Sequence, residues 1–128
     1  MKFKNAVFLN ERFMETIVKC NEFTGWDPKP AYWFNRFVKK MGSSQEDYND
    51  IRVKLIKKFA EDPEAEEVKV GQVHVQAFTT ELGELLEEEF EIEGINKIKF
   101  PEGLQLSPAE IGLVEEIFDM SSFEDDDE

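Results

Sequence analysis

The chain has 128 residues, the length of one domain, and can bury roughly two thirds of the surface that its unfolded form exposes. Its composition is 41% hydrophobic and 12% aromatic, with 7 Gly and 5 Pro, which excludes collagen-like, low-complexity and wholly disordered proteins. The net charge of −14 opposes non-specific binding to nucleic acid or to anionic membranes.

The charge is divided unevenly along the chain. Residues 1–60 hold 12 Lys and Arg against 7 Asp and Glu, a net charge of +5, whereas residues 61–128 hold 3 against 22, a net charge of −19. An asymmetry of this size predicts that the two halves present different surfaces to their partners.

The location of the protein is predicted from segments that the sequence lacks. The apolar stretch after Lys2 and Lys4 is interrupted at Asn10, so it does not form the core of a signal peptide. No run approaches the ~20 apolar residues of a membrane span. The single cysteine, Cys20, lies on an apolar helical stripe, which favours a buried structural thiol over a reactive one. We therefore expect a cytoplasmic protein.

The first elements are a short strand around Phe3 and a helix over residues 6–22. The helix is predicted from apolar residues that recur at steps of three and four positions and so form one stripe. These residues are Ala6, Leu9, Phe13, Ile17 and Cys20.

The second helix is predicted to be long. Asp27 is its candidate N-cap and Pro28 fits the first helical position. The segment Gly42-Ser43-Ser44 could divide it into two helices, but apolar residues keep a spacing of seven across that segment. They are Phe34, Met41, Tyr48 and Leu55. We therefore predict one helix over residues 29–60, about 45 Å long, whose stripe packs on the first helix or on a second copy.

Pro63 ends this helix, and two interpretations remain for the segment after it. Residues 68–75 fit a hairpin around Gly71-Gln72, whereas the spacing of apolar residues from Val75 onward fits a helix. We favour a helix over residues 75–89.

Two alternating segments, residues 90–93 and 97–100, are predicted to be strands of a small antiparallel sheet that includes the N-terminus. Four lysines would stand opposite Glu91 and Glu93 on its exposed face: Lys2, Lys4, Lys97 and Lys99. The buried face would carry Phe3, Ile92, Ile98 and Phe100.

The last helix has the clearest start signal. Ser107 as N-cap, Pro108 at the first position and Glu110 at the third form a capping box, and we expect the helix to reach about Met120. Residues 121–128 hold five acids and no base and are predicted to be a disordered tail. The predicted fold is α+β and mostly helical, with a long central helix and a small antiparallel sheet in a single domain of residues 1–120.

Several motifs resemble those of a loose group of small phage-encoded proteins of unknown function. They are Tyr48 with Arg52, Lys57-Lys58-Phe59, Glu84-Leu85-Leu86-Glu87-Glu88-Glu89 and Leu106-Ser107-Pro108-Ala109-Glu110. The resemblance covers most of residues 29–118. It implies origin in a phage or prophage and the absence of enzymatic activity, and it assigns no functional residue.

The sequence offers little for catalysis or metal binding. It contains no calcium loop, P-loop, G-x-G-x-x-G or G-x-S-x-G motif, and Cys20 and His74 are too few to form a zinc site. We predict no enzymatic activity, no catalytic residue, no specific metal site and no cofactor.

Two charged segments are candidate interaction surfaces. Trp33, Arg36, Lys39 and Lys40 interleave a ring with positive charge, which fits an acidic protein surface or, least favoured, single-stranded nucleic acid. An ordinary solvated helix face beside a core of Phe34 and Phe37 explains the same pattern. In the acidic half, Glu84, Glu87 and Glu88 could imitate the phosphates of DNA, or could simply make the helix soluble.

The leading hypothesis is a non-enzymatic phage accessory protein that acts through protein–protein association, in virion assembly or as a late-gene factor. Its partner would be a phage or host protein, with a homo-oligomer as one form, and it would reside in the host cytoplasm or with the virion. The alternative is an acidic DNA mimic that inhibits a host DNA-binding enzyme or defence complex.

Overall fold

A computed structural model describes residues 1–62, 64 and 69–121. The fold is α+β and mostly helical, with a long central helix and a small antiparallel sheet, as predicted. The elements are β1 (Lys2–Lys4), α1 (Glu11–Glu22), α2 (Pro28–Lys58), α3 (Val75–Glu87), β2 (Glu89–Glu91), β3 (Ile98–Lys99), α4 (Pro108–Val114) and β4 (Phe118–Asp119). Short 3-10 helices cover Asn5–Leu9 and Gln72–His74. The predicted tail, apart from Ser121, lies outside the described residues.

The first predicted helix is divided in two. Its start is the 3-10 helix Asn5–Leu9, and α1 begins only at Glu11. Asn10 separates the two because its backbone is extended and its side chain accepts the Phe13 N–H at 3.1 Å. This bond caps the new helix, so the prediction of one helix over residues 6–22 was wrong at its N-terminal end.

The second helix, α2, is continuous over 31 residues, which confirms the prediction of a single long helix. Pro28 occupies its first turn, and Asp27 is the N-cap by position, although its side chain makes no capping bond. The backbone of α2 packs mainly against α3, β3 and the first 3-10 helix. Phe3 of β1 lies between α1 and α2, with its ring centroid 6.2 Å from that of Phe13 and 6.1 Å from that of Phe37.

The strands form two separate pairs rather than one sheet. β1 pairs with β2 in antiparallel register, with Lys2 opposite Glu91 and Lys4 opposite Glu89. β3 pairs in parallel with β4. The prediction that Lys97 and Lys99 share a face with Glu91 and Glu93 was therefore wrong. Gly94, whose φ of 77° suits glycine, turns the chain away after β2.

Two other boundaries differ from the sequence expectation. α4 ends at Val114 rather than near Met120, because Phe118 and Asp119 form β4 beside β3. α3 begins at Val75, as the helical interpretation required, and Val73 lies in a 3-10 helix instead of a hairpin strand. In the first half of that hairpin, residue 68 falls outside the described residues, and Val70 forms an antiparallel bridge with Ala60.

The core is rich in aromatic rings and connects the helices with the strands. One group stacks Phe8 on Phe90 at 5.2 Å, and another stacks Trp26 on Phe34 at 5.0 Å. Cys20 is fully buried, and this burial raises the pKa of its thiol to about 11. None of the helices within the described residues combines the length and apolar character needed to cross a bilayer.

Candidate interaction surfaces

The aromatic and basic stripe of α2 is held together by contacts between its own side chains. The Arg36 guanidinium lies 5.9 Å from the centre of the Trp33 ring and 5.7 Å from that of Tyr32. The two rings meet edge to face at 5.3 Å, and Tyr32 is 56% exposed. Cation–π contacts of this kind favour one arrangement of the three side chains at the surface.

The remaining members of the stripe differ in their surroundings. Lys40 donates from Nζ to the carbonyl oxygen of Glu93 at 3.0 Å, which ties α2 to the segment after β2. Lys39 is exposed, whereas Phe34 and Phe37 are buried in the core. The stripe therefore contains core residues, a lysine that links two segments of the fold, and an exposed lysine.

A cleft of about 510 Å³ lies between the start of α2 and the segment that leads into β3. Lys29, Lys97 and Lys99 line it with their positive charge, and Pro30, Trp33 and Ile98 supply apolar surface. Among the residues that the structure describes, none that lines the cleft is acidic. Of the predicted surface residues, only Trp33 belongs to this cleft.

Sequence reasoning missed the three lysines of the cleft. Lys97 and Lys99 were assigned to the β1–β2 sheet, and Lys29 was interpreted as the first residue of the second helix and of its aromatic and basic segment. The available signal was the alternation of Lys97, Ile98 and Lys99, which predicts two lysines on one face of a strand. It could not show that Lys29 would lie across from them.

The predicted acidic surface is partly neutralised by the basic half of the chain. Within the described residues, the ion pairs are Lys4–Glu87 at 2.7 Å, Lys58–Glu81 at 3.0 Å and Lys19–Glu110 at 3.3 Å. Each joins a base from the first 60 residues to an acid from the remainder.

These ion pairs interrupt the row of acidic side chains that was predicted to imitate the phosphates of DNA. Glu84 and Glu88 are exposed, but Lys4 neutralises Glu87 between them, and this contact raises the pKa of Lys4. A DNA-like row of charge needs unpaired acids at regular spacing, and Lys4 and Lys58 interrupt the row at Glu87 and Glu81. The acidic run of residues 61–67, which belongs to the same hypothesis, lies partly outside the described residues.

The end of α2 and the start of α3 form a helix pair that we call the helical arm, residues 49–60 and 70–84. Phe59 packs on Phe78 at 6.4 Å, whereas Tyr48 lies 5.7 Å from Phe8, in the 3-10 helix on which the other end of α3 packs. The two helices therefore run in opposite directions.

The arm has almost no interior. Between residues 49 and 60, and between residues 72 and 84, no residue is buried. Four aliphatic side chains are instead largely exposed: Ile51 at 43%, Val53 at 41%, Val73 at 88% and Val75 at 47%. Ile51 and Val53 stand two positions apart on α2 and so point to different sides of it, which spreads this apolar surface around the arm. Apolar side chains in such positions are available for contact with another protein.

Potential metal ligands do not cluster among the residues that the structure describes. These residues contain no group of three or more potential metal ligands of the His, Cys, Asp and Glu types. His74 is exposed, with its ring 6.0 Å from Phe59. Comparisons of the chain with family models, curated proteins and solved structures gave no match.

Proposed function

We propose that this protein is a non-enzymatic accessory factor that works by protein–protein association, and that the helical arm is its contact with a second copy of the chain. The supporting observation is the exposure of Ile51 and Val53 on α2 and of Val73 and Val75 around the start of α3, in an arm where residues 49–60 and 72–84 include no buried residue. Covering this apolar surface with another protein would remove it from water, which is the main favourable contribution to association.

Charge complementarity favours a second copy as the occupant. The α2 side of the arm carries Arg52, Lys54 and Lys57, and the α3 side carries Glu84 in addition to Glu81, which already pairs with Lys58 of its own chain. In a two-fold contact, α2 of one copy lies against α3 of the other, so basic and acidic sides meet twice.

The biological setting that we propose comes from the sequence motifs. Their resemblance to those of small phage-encoded proteins supports a role in virion assembly or as a late-gene factor. In either setting a defined oligomer gives the partner protein a repeated surface.

The proposal is tested by measuring molar mass with light scattering during gel filtration, over about a hundredfold range of concentration. We expect a dimer, and we expect the double variant Val73→Asp/Val75→Asp to be a monomer at the same concentrations. Because Val73 is 88% exposed and Val75 begins α3, these changes leave the helical circular dichroism spectrum unaltered.

Val18→Asp is the matched control, since Val18 is 52% exposed but lies on α1, away from the arm. It should remain dimeric. A wild-type chain that is monomeric at every concentration would refute the proposal. So would equal dissociation in the Val18 variant.

A further inference from the structure

β3 and the residue before it resemble β1, a strand whose acidic partner is β2. β1 has the sequence Lys-Phe-Lys, and β2 pairs with it through Glu-Phe-Glu, with lysines opposite glutamates and the phenylalanines opposite each other. Residues 97–99 repeat the first pattern as Lys-Ile-Lys. Among the described residues β3 has a single strand neighbour, β4, so its other edge carries no strand.

The backbone of β3 directs hydrogen-bonding groups toward that open edge. Ile98 donates its N–H to the carbonyl oxygen of Ile117 at 2.9 Å, on the β4 side. Successive residues of a strand direct their N–H and C=O groups to opposite edges. The groups of Lys97 and Lys99 therefore point away from β4.

The spacing of the two lysines suits an extended acidic segment. Residues two apart on a strand place their side chains on one face about 6.6 Å apart. An added strand with acids at alternate positions has the same spacing, and Lys2 with Glu91 and Lys4 with Glu89 show this match within the fold.

The cleft beside β3 supplies the rest of a binding surface. Lys29 adds a third positive charge from α2, and Pro30 and Trp33 add apolar surface next to Ile98. The volume of about 510 Å³ lies within the range of roughly 300–1,000 Å³ that is usual for binding pockets.

We propose that the open edge of β3 binds an extended segment of a partner protein in which acidic and apolar residues alternate, and that this segment adds to β3 as a new strand. Its carboxylates pair with Lys97, Lys99 and Lys29, and its apolar side chain packs on Trp33. Lysines on an edge deter neutral strands, so charge selects an acidic one. The inference rests on the proposed function only in that the ligand is a protein, since it uses a surface separate from the arm.

Two features favour a peptide over a nucleotide or nucleic acid. The net charge of −14 repels a long polyanion. Pro28 and Pro30 also remove two backbone N–H donors from the first turn of α2, where a phosphate would otherwise bind.

The probe is a blocked peptide with the sequence of residues 89–93, Glu-Phe-Glu-Ile-Glu, added to the full chain and followed by calorimetry and by backbone amide chemical shifts. We expect shifts centred on Lys97, Ile98 and Lys99. The double variant Lys97→Gln/Lys99→Gln should weaken binding about tenfold or more, because two charge pairs are lost.

The matched control is Arg12→Gln/Lys39→Gln, which removes two exposed basic side chains outside the cleft and outside the arm. It should bind as tightly as the wild type. A peptide in which Gln replaces each Glu should fail to bind, and so should a peptide methylated at alternate backbone nitrogens, because it cannot form the strand hydrogen bonds.

Equal binding of the Gln peptide or of the methylated peptide would overturn the inference. So would an equal loss of affinity in the Arg12/Lys39 variant, or tighter binding of an oligonucleotide at the same site. Failure of the peptide to bind, with the wild-type dimer intact, would refute the β3 site and leave the proposed function standing.

Discussion

The hydroxyl of Tyr48 differs from the other buried polar groups of the core in its hydrogen bonding. Its side chain is 3% exposed, and its hydroxyl is a buried side-chain polar atom without a hydrogen-bond partner among the described residues. The two buried polar residues behave differently. Asn5 donates to the carbonyl oxygen of Leu85 at 2.9 Å, and Thr16 donates to that of Arg12 at 2.7 Å.

The unpaired hydroxyl predicts that Tyr48→Phe raises the free energy of unfolding by about 1 kcal/mol, because a buried polar group without a partner costs desolvation and gains nothing in return. Tyr48→Ala should lower it by about 3–5 kcal/mol, since the ring packs on Phe8. Urea unfolding of both variants checks the pair. A Phe variant less stable than the wild type would mean that the hydroxyl has a partner in solution.

At the scale of elements, α2 contains a glycine, Gly42, at a position where the surrounding structure leaves room for a side chain. A Cβ atom built at Gly42 would meet no atom within 4 Å, and the residue has an ordinary helical backbone. Gly103 differs, because its φ of 87° is a conformation that residues with side chains rarely adopt.

We therefore expect Gly42→Ala to raise the free energy of unfolding by about 0.5–1 kcal/mol, through a smaller loss of chain entropy. Gly103→Ala should lower it by about 1–2 kcal/mol through backbone strain. Thermal and urea unfolding of the two variants measure the contrast. If both changed stability in the same direction, the continuity of α2 through residue 42 would be in doubt.

Helix starts could be predicted from the sequence because their signals are local. Pro28 and the capping box of Ser107 with Glu110 both stand where the structure begins a helix, and both bonds of the box are formed. Helix ends were less predictable. α4 stops at Val114 because Phe118 pairs with Ile98, a residue twenty positions earlier that no local pattern connects to it.

The same limit applies to the cleft. Lys97 and Lys99 were recognised as one face of a strand, but that strand was placed in the wrong sheet. Lys29 joins them from a helix almost seventy positions earlier. Contacts of this separation depend on how the layers pack, which periodicity within one element does not determine.

For the whole molecule, the two oppositely charged halves are folded against each other. The ion pairs found among the described residues all cross from one half to the other, yet all are at least partly exposed to solvent. Exposed pairs contribute little to stability, whereas a net charge of −14 produces repulsion throughout the molecule.

We therefore expect added salt to stabilise the protein. Raising NaCl from about 0.02 M to about 0.5 M should increase the urea midpoint at pH 7, because screening weakens the net repulsion more than it weakens three surface pairs. Near pH 4 the increase should shrink, since many carboxylates are then protonated. A midpoint that falls with salt at pH 7 would show that the ion pairs dominate.

The pairing of β1 with β2 also bears on how the protein is made. Lys4 stands opposite Glu89, so the first strand has no partner until 85 further residues have been added. At the usual ~5–20 residues per second of translation, that delay is roughly 4–17 s. During it Phe3 and Phe8 lack the ring of Phe90 on which both stack. During its synthesis on the ribosome, the chain therefore leaves these two rings without a stacking partner until residue 90 has been added, and molecular chaperones could bind them in that interval.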